Sequence, residues 1–251
     1  MDQAVFEKVY RGRQRWYHHL AYMRMGKVLL AFEILRQAKV SLSGKRVLDF
    51  GFGSGTLFRS FPASTALFGI EQDEVACEET AAMLRKKGFV QVDLRSLDKD
   101  SKKGRSLLRQ SYDLVVLSHV LEHLPDPAGF LKSLRTNLVP GGLLLGLVPI
   151  HERKKNPHHL HAVDAGKIRD WASQAGFCIK QYQEGDPWFF WIQPLFNHNQ
   201  GWRHRLAQAI SFGFGCIAVL LGPQAWFQLG RIFGALTGSR PTQAGFILSP
   251  E

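Results

Sequence analysis

The feature that most constrains this chain is an apolar run that breaks into three alternating glycines. The run spans residues 46–50, and Gly51, Gly53 and Gly55 follow it. This pattern predicts a buried strand that ends in a tight turn and opens a helix. Because glycine has no Cβ, the backbone can take positive φ there and a ligand can approach the main chain closely. The turn therefore predicts a ligand cradle, although a dinucleotide-binding motif would place its third glycine at Thr56.

The segments after the turn alternate between strand and helix patterns. This alternation predicts parallel strands joined by right-handed crossovers, and hence an α/β fold with an open, doubly wound sheet. In such sheets ligands bind outside the carboxyl ends of the strands. Asp49, Glu71, Asp93 and Ser118 stand at the predicted ends, so we expect one ligand to touch all four segments. The predicted strands are 46–50, 66–70, 89–94, 112–118, 142–148 and 177–182, and the predicted helices are 55–61, 74–87, 103–109, 127–137 and 164–176.

Two of these acidic residues also have purely structural explanations. A carboxylate at a strand end is often the N-cap of the next helix, and Glu71 fits that role. Asp49 could stabilise the turn by accepting hydrogen bonds from backbone N–H groups. Asp49 lies inside the glycine motif, and Glu71 stands 22 residues after Asp49. This placement favours one ligand that both residues contact.

Taken in order, these motifs resemble those of class I S-adenosylmethionine-dependent methyltransferases. The D-x-G-x-G-x-G spelling of Asp49–Gly55 resembles the first motif of that family, and Glu71 stands where the family places an acidic residue. Residues 112–127 resemble the fourth strand and the loop after it, and Val139–Leu145 resembles the turn into the fifth strand. The resemblance runs from about residue 45 to residue 182 and returns at 243–249.

The resemblance implies a mostly parallel, seven-stranded sheet and S-adenosylmethionine as the cofactor. In the family, the acidic residue after the second strand grips both ribose hydroxyls, which gives that role to Glu71. Asp93 and Leu94 would border the adenine, although the family usually has a glycine where this chain has Val92. The implied cofactor-binding residues are Asp49, Gly51, Gly53, Gly55, Glu71, Gln72, Asp93, Leu94, Ser118 and His119.

Histidines near the predicted site supply candidate catalytic groups. His119 and His123 are separated as i and i+4 with Glu122 between them, a pattern that metalloproteases use on a helix. Here the residues stand between a buried strand and Pro125, which leaves scarcely one helical turn, and no third ligand is evident at a fixed offset. We therefore expect no metal site. The resemblance places this stretch beside the methionine part of the cofactor, so His119 or His123 could border the substrate.

A second group of histidines follows the fifth predicted strand. Residues 151–161 hold four of the ten histidines, and a loop at this position would overhang the ligand. Imidazole titrates near the working pH and could take a proton from a hydroxyl nucleophile. His159 therefore joins His119 and His123 as a candidate catalytic residue. A plain surface loop explains the same composition equally well.

Positive charge is concentrated near the N-terminus. The chain has a formal net charge of +11, and residues 1–46 hold ten Lys/Arg against three Asp/Glu. Basic and aromatic residues interleave from Phe6 to Met23, which predicts a helix, and Val28–Leu35 predicts a short amphipathic one. Three interpretations remain open: a solvated cap over the cofactor, a surface for anionic membrane, or a nucleic-acid patch.

Length and cysteine usage predict one domain in the cytoplasm. The chain has 251 residues, 45% of them hydrophobic, which suffices for one sizeable core. Three widely spaced cysteines favour a reducing compartment, and no signal-peptide pattern is present at the start. Peripheral attachment to the inner face of the membrane is an option. The predicted parts are a helical cap at 1–44, a cofactor-binding core at 45–184, an apolar helical insertion at 185–242 and a last strand at 243–251.

The insertion separates the sixth strand from an antiparallel seventh, for which Ala244–Leu248 is the candidate. Both strands meet the ligand edge of the sheet, so the insertion should emerge over the mouth of the site. Residues 206–230 carry no charge and are long enough to span a bilayer, but Gly222 and Pro223 divide them, which predicts a helical hairpin. The alternatives are an apolar lid that also enters the membrane surface, a lid or dimer contact in a soluble protein, and a transmembrane element.

We therefore predict an enzyme that transfers a methyl group from S-adenosylmethionine to a small apolar or lipid-linked acceptor. The donor is already activated, so the protein mainly aligns the reactants and excludes water, and a base is needed only if the nucleophile holds its proton. An RNA methyltransferase is one alternative, favoured by charge alone. Nucleic acid is the less favoured partner, because Ser118-His119 departs from the loop of amino-methylating DNA enzymes. A cofactor-binding scaffold without catalysis is the other alternative.

Overall fold

The computed structural model of the chain describes residues 19–97, 102–152, 156–188 and 202–251, which build a seven-stranded sheet with helices on both faces. The strands are β1 (Arg46–Phe50), β2 (Ala66–Glu71), β3 (Val92–Ser96), β4 (Tyr112–Ser118), β5 (Leu138–Pro149), β6 (Phe177–Gly185) and β7 (Gln243–Pro250). The helices of the described residues are α1 (Tyr22–Gln37), α2 (Glu74–Lys86), α3 (Lys102–Leu107), α4 (Pro127–Leu134), α5 (Ala165–Gln174) and α6 (Trp202–Thr237).

The strand order, β3-β2-β1-β4-β5-β7-β6, confirms the predicted doubly wound α/β sheet. Strands β1 to β5 pair in parallel, and β7 is antiparallel to both β5 and β6. It follows that β6 runs in the same direction as the parallel strands. The carboxyl ends of β1, β2, β4, β5 and β6 therefore lie at one edge of the sheet, which we call the carboxyl edge.

Each face of the sheet has its own apolar core, because successive side chains of a strand point to opposite faces. On one face Val47 and Leu114 belong to a buried cluster with residues of α1 and α2. On the other face Leu48 and Val115 belong to a cluster with residues of α4 and α5. Burial on both faces explains why these strands are nearly continuous apolar runs in the sequence.

Helix α1 is part of the core rather than a solvated cap. Leu30, Ala31 and Ile34 are fully buried, and the helix packs against β5, β6, β7 and α6. The predicted helix from Phe6 to Met23 falls mostly on residues 1–18, which lie outside the described residues. The membrane and nucleic-acid interpretations of that basic segment therefore stay predictions.

The glycine turn does not open a regular helix, so the helix predicted at 55–61 is wrong. Only the 3-10 turn Phe58–Ser60 forms there. Phe58 and Phe61 are both buried, which bends the chain inward, and Pro62 follows without an N–H to continue a helix. The turn and the next strand are therefore joined by a compact apolar connection.

The insertion forms a bent pair of helical arms, as predicted. Within α6, Gly222 has the non-helical angles φ 74° and ψ 167°, and Pro223 follows it. Phe214 and Trp226, one on each arm, have ring centroids 6.1 Å apart. Both rings also contact the ring of Tyr22 on α1, at 6.0 and 5.4 Å. The described part of the insertion thus packs on α1, and its role as a lid stays a prediction.

Candidate cofactor and active site

The glycine turn follows β1 at the carboxyl edge and is fastened to β2. Gly51, Gly53 and Gly55 have φ of 74°, 56° and 66°, a conformation that glycine adopts without strain. The N–H of Gly53 donates to Oε2 of Glu71 at 2.7 Å. A Cβ added at Gly51 would lie 2.9 Å from Cγ2 of Val120, so the turn is closed to larger residues. The predicted cradle is present.

Glu71 ends β2 and is buried against the turn. Its Oε2 accepts from Gly53, and its Oε1 accepts the N–H of Gln72 at 2.7 Å. Burial raises the pKa of the Glu71 carboxyl group, and these backbone hydrogen bonds oppose the increase. The N-cap role is excluded, because Asp73 caps α2 by accepting the N–H of Val75 at 2.9 Å. The N–H of Asp73 also acts on the Glu71 carboxylate, which leaves about one of its four lone-pair sites for a ligand hydroxyl.

Asp49 is the most deeply buried acidic group of the glycine motif, with 1% of its surface exposed. Its Oδ1 has no hydrogen-bond partner among the described residues. Burial raises the pKa of Asp49 to about 7, with Lys27 opposing the increase and Glu71 adding to it. A buried carboxylate oxygen without a partner is costly, and a cationic ligand group is the natural partner for it.

Lys27 on α1 is a charged neighbour of the site residues Asp49 and Glu122 that the sequence did not indicate. Burial lowers the pKa of its ammonium group, Asp49 opposes that change, Arg24 adds to it and Glu122 opposes it. Asp49 belongs to β1 and Glu122 follows β4, so Lys27 interacts electrostatically with acidic groups of two neighbouring strands. In the sequence Lys27 is one of many basic residues near the N-terminus and stands directly before the apolar stretch Val28–Leu35. Nothing distinguished it from the other basic residues there.

Asp93 and Leu94 do not lie at the carboxyl edge, where the sequence predicted them. In the register of β2 and β3, Phe68 pairs with Asp93 and Glu71 pairs with Ser96. Asp93 therefore lies three positions before the carboxyl edge, and its carboxylate pairs with Arg95 instead. Leu94 is buried in the core on the α1 and α2 face.

The third strand lies later in the sequence than predicted because of Phe89, which the sequence pattern assigned to the strand. Gly88 turns the chain out of α2 with φ 91°, and the buried side chain of Phe89 closes that turn. The strand consequently starts at Val92 rather than at residue 89. Ser96 takes the place predicted for Asp93 at the carboxyl edge, where its hydroxyl donates to the carbonyl of Gln72 at 2.9 Å.

Ser118 and His119 stand at the carboxyl edge as predicted. The Oγ of Ser118 is buried and has no partner in the part of the chain that the structure describes. His119 has φ 58°, a conformation that costs a residue with a side chain about 1 kcal/mol or more. Its N–H donates to the carbonyl of Leu147 at 2.8 Å, which holds the strained turn against β5.

A 3-10 turn, Leu121–His123, follows His119 and brings Glu122 close to both His119 and His123. Glu122 is fully buried, and Nδ1 of His119 lies 3.3 Å from its Oε1. Burial raises the pKa of Glu122, but the nearby imidazoles of His119 and His123 outweigh burial and lower it overall. His159 arrives from the loop after β5, with its ring centroid 4.8 Å from that of His123.

Glu122, His123 and His159 form a cluster of groups of the kind that bind metal ions. Their potential ligand atoms all lie within 4.8 Å of one another, but both ring nitrogens of His159 are engaged by Glu152 and Asn156. Folding of the loop thus brings His159 to the turn although no fixed offset in the sequence indicated it, and the expected absence of a metal site stays a prediction. This loop is also more than a plain surface segment, since the N–H of Leu160 donates to the carbonyl of Glu122 at 2.8 Å.

Of the candidate catalytic histidines, His123 has the freer ring nitrogen. Its Nδ1 lies 2.9 Å from the carbonyl oxygen of His158, and a carbonyl only accepts, so Nδ1 carries the proton and Nε2 is left as an acceptor. His159 has both ring nitrogens engaged, with Nδ1 2.8 Å from Oε2 of Glu152 and Nε2 3.1 Å from Nδ2 of Asn156. His159 is therefore better suited to orienting its neighbours than to taking a proton.

The structure brings most of the predicted cofactor residues to the carboxyl edge and leaves out Asp93 and Leu94. The unpartnered oxygen of Asp49 suits the cationic groups of S-adenosylmethionine, and Glu71 beside the open glycine turn suits its ribose hydroxyls. The residues present therefore fit the cofactor. Those gathered at the carboxyl edge are Asp49, Gly51, Gly53, Gly55, Glu71, Gln72, Ser118 and His119.

Sequence comparisons agree with this geometry. A family profile described as a methyltransferase domain matches residues 20–182. The ubiquinone biosynthesis O-methyltransferase of Bordetella pertussis (strain Tohama I) is 30% identical over 155 residues, which cover 57% of this chain and 59% of that protein. The enzyme of the same name from Marinobacter nauticus is 33% identical over 105 residues, or 41% of this chain and 44% of that one. The chain thus spans less than two thirds of the length of the curated relatives it matches.

Solved structures share the fold at low sequence identity. Magnesium protoporphyrin IX methyltransferase from Synechocystis PCC 6803, with bound SAH, gives a TM-score of 0.57 at 14% identity and covers 100% of this chain and 96% of its own. The [4+2]-cyclase SpnF gives a TM-score of 0.58 at 17% identity, and the match covers 89% of this chain and 81% of the SpnF chain. Such likeness shows the fold alone. With a profile match that covers well over half of its length, the chain belongs to the S-adenosylmethionine-dependent methyltransferases of class I.

Proposed function

We propose that this methyltransferase acts on a small apolar or lipid-linked acceptor. The observation that carries the methyl-transfer part of the proposal is the cradle itself, in which the unpartnered Oδ1 of Asp49 lies buried beside the glycine turn. The acceptor class is supported by the curated relatives, which are ubiquinone biosynthesis O-methyltransferases. It is also supported by the apolar insertion that joins the sheet at the carboxyl edge.

The cofactor supplies a methyl group that is already activated on a sulfonium ion. The side chains of this protein hold and orient it. Glu71, fixed by the N–H groups of Gly53 and Gln72, would accept from a ribose hydroxyl. Asp49 would offer its buried oxygen to the ammonium group of the ligand, and Lys27 would supply a positive charge for the ligand carboxylate. Alignment of this kind supplies most of the catalysis for an activated donor.

Proton removal from an acceptor hydroxyl falls to His123. Its Nδ1–H donates to the carbonyl of His158, which orients Nε2 as the acceptor. Glu122 is buried beside this turn and its pKa is held low by His119 and His123 against the effect of burial. A carboxylate in this position stabilises the positive charge that an imidazole gains when it takes a proton.

The acceptor class is tested with cofactor labelled in its transferred methyl group. The enzyme is incubated separately with a total lipid extract, an aqueous small-molecule extract and total RNA from cells. We expect labelled product in the organic phase of the lipid reaction. Gly53→Val is the control without catalysis, because a β-branched residue cannot follow φ 56° and would occupy cofactor space.

Two other outcomes would contradict the proposal. Label in the RNA fraction would support the RNA methyltransferase, which the net charge of +11 favours. Binding of S-adenosylhomocysteine without label in any fraction would support the scaffold instead.

A further inference from the structure

The helical hairpin α6 is fixed to the protein along one side. On its first arm, Ala207, Ser211 and Ala218 are buried, and their helical spacing puts them on one face. On its second arm the buried residues are Trp226 and Phe227. These positions pack towards α1 and the end of β6. The opposite side of both arms has no such cover in the described structure.

A polar chain of buried groups anchors the hairpin at the carboxyl edge. Nε1 of Trp226 donates to the hydroxyl of Tyr22 at 3.0 Å, and that hydroxyl donates to Oδ1 of Asp186 at 2.5 Å. Nε2 of Gln243 donates to Oδ2 of the same aspartate at 3.1 Å. Asp186 follows β6 and Gln243 begins β7, so the hairpin leaves the sheet at the edge that carries the cofactor residues.

The uncovered side of the hairpin is strongly apolar. The segment Arg205–Thr237 is long and apolar enough to cross a membrane by length and composition, and only 22% of its most apolar window is buried. Leu220, at the bend between the arms, is 86% exposed. Apolar surface of this extent usually marks a binding surface. The exposed apolar residues of the arms are Leu206, Ile217, Val219, Leu220, Leu221, Leu229, Ile232 and Leu236.

The charges around this surface indicate what covers it. Residues 187–250 contain no Asp or Glu, whereas Arg203, Arg205, Arg231 and Arg240 fall within them, in a chain of net charge +11. Apolar side chains flanked by cations alone match the chemistry of an anionic lipid surface. A lipid surface also needs no shape complementarity, which suits leucines that project from a bend.

We propose that the bend of the hairpin, residues 217–221, inserts into the interfacial layer of an anionic lipid bilayer. The first arm begins with the charged residues Arg203 and Arg205, so its uncharged part, residues 206–221, is about 24 Å long at 1.5 Å per residue, and the second arm, residues 223–237, is about 22 Å long. Both are shorter than a hydrocarbon core of about 30 Å. Each arm also keeps one side against the protein, so neither arm spans the bilayer. The inference goes beyond the proposed function, because it concerns where the enzyme lies and holds for any acceptor.

The test is flotation of the full chain with vesicles of phosphatidylcholine, with and without phosphatidylglycerol. The variant Leu220→Asn/Leu221→Asn changes two exposed residues without altering charge or touching the anchor. Each leucine withdrawn from the bilayer should lower the partition constant about tenfold. The matched control is Val90→Asn, since Val90 is 94% exposed but lies in the turn before β3, at the opposite edge of the sheet.

We expect the parent and the Val90 control to float with phosphatidylglycerol vesicles, and the double variant to remain in the soluble fraction. Thermal unfolding and binding of S-adenosylhomocysteine should be the same in all three proteins. Flotation of the double variant at the parent level would overturn the proposal, as would equal binding to phosphatidylcholine alone. If the parent ignores vesicles and is a dimer that the double variant dissociates, the surface contacts a second copy instead. The assay contains no acceptor, so its result is independent of the proposed reaction.

Discussion

Binding of S-adenosylhomocysteine should depend on pH through Asp49. Burial raises the pKa of this carboxyl group from 3.8 to about 7, so below pH 7 the free site holds it protonated. The ammonium group of the ligand favours the ionised form, and binding must then release the proton. Each pH unit below the raised pKa weakens binding about tenfold, or about 1.4 kcal/mol. Affinity should therefore increase as the pH rises and level off above neutrality.

The expected magnitude follows from the two pKa values. If the bound carboxylate returns to the ordinary range, affinity should rise roughly 90-fold between pH 5 and pH 8. Asp49→Asn removes the titrating group and should flatten this increase. Lys27 and Glu71 are the charges that act on Asp49, and both remain in the variant. Any pH dependence that persists in Asp49→Asn therefore belongs to them or to the histidines near the site.

Calorimetric titration in two buffers of different ionisation enthalpy measures both the affinity and the protons released. We expect nearly one proton released at pH 6 by the parent, and fewer at pH 8. Equal affinity at pH 5 and pH 8 would refute the reasoning. So would an identical profile for Asp49→Asn, because the proton would then come from another group.

The same pKa change makes a second measurement possible on the free protein. Between pH 4 and pH 7 the unfolded chain ionises Asp49 while the folded chain keeps it protonated, so the unfolded state binds fewer protons and stability falls as the pH rises. From 3.8 to about 7, this loss amounts to about 4 kcal/mol. Denaturant unfolding of the parent and of Asp49→Asn across this range measures the difference.

Three further changes test other parts of the site. Glu71→Ala should weaken S-adenosylhomocysteine binding by about 2 to 3 kcal/mol, because it removes charge-assisted bonds; unchanged calorimetric affinity would remove Glu71 from the site. Lys27→Met should move the midpoint of the Asp49 profile to higher pH, because Lys27 opposes the raised pKa; an unmoved midpoint would place Lys27 elsewhere. Replacing residues 187–240 by a short Gly/Ser turn should lower the melting temperature, because it uncovers Tyr22 of α1; unaltered melting would show that the hairpin adds no stability.

Much of the site could be predicted because its geometry is local. The glycine turn, Asp49 and Glu71 follow directly from apolar strands that end in special residues, and the parallel sheet brings those ends together. The predicted bounds of the third strand were wrong for an equally local reason. Phe89 is buried like a strand residue but serves to close a turn, and an apolar pattern records burial without recording which backbone conformation achieves it.

Lys27 could not be predicted, because it lies far from the site in the sequence, and His159 was predicted only from the position of its loop, without its contacts to Glu122 and His123. Lys27 reaches the site only when α1 packs across the sheet, and His159 only when the loop after β5 folds onto the turn that carries Glu122. Both depend on contacts between distant segments, which leave no spacing to detect. The search for metal ligands at fixed offsets did not indicate His159 for the same reason.

Helix α1 also joins the two parts of the chain that the sequence analysis treated separately. Tyr22 at its start bonds to the hairpin anchor through Trp226 and Asp186, and Lys27 lies little more than one turn further along, beside Asp49. A helix is rigid over so short a distance. Tyr22 and Lys27 therefore keep the hairpin anchor and the charges near Asp49 in a fixed relation. The predicted cap, core and insertion are thus segments in sequence order, whereas the contacts of α1 make them one unit.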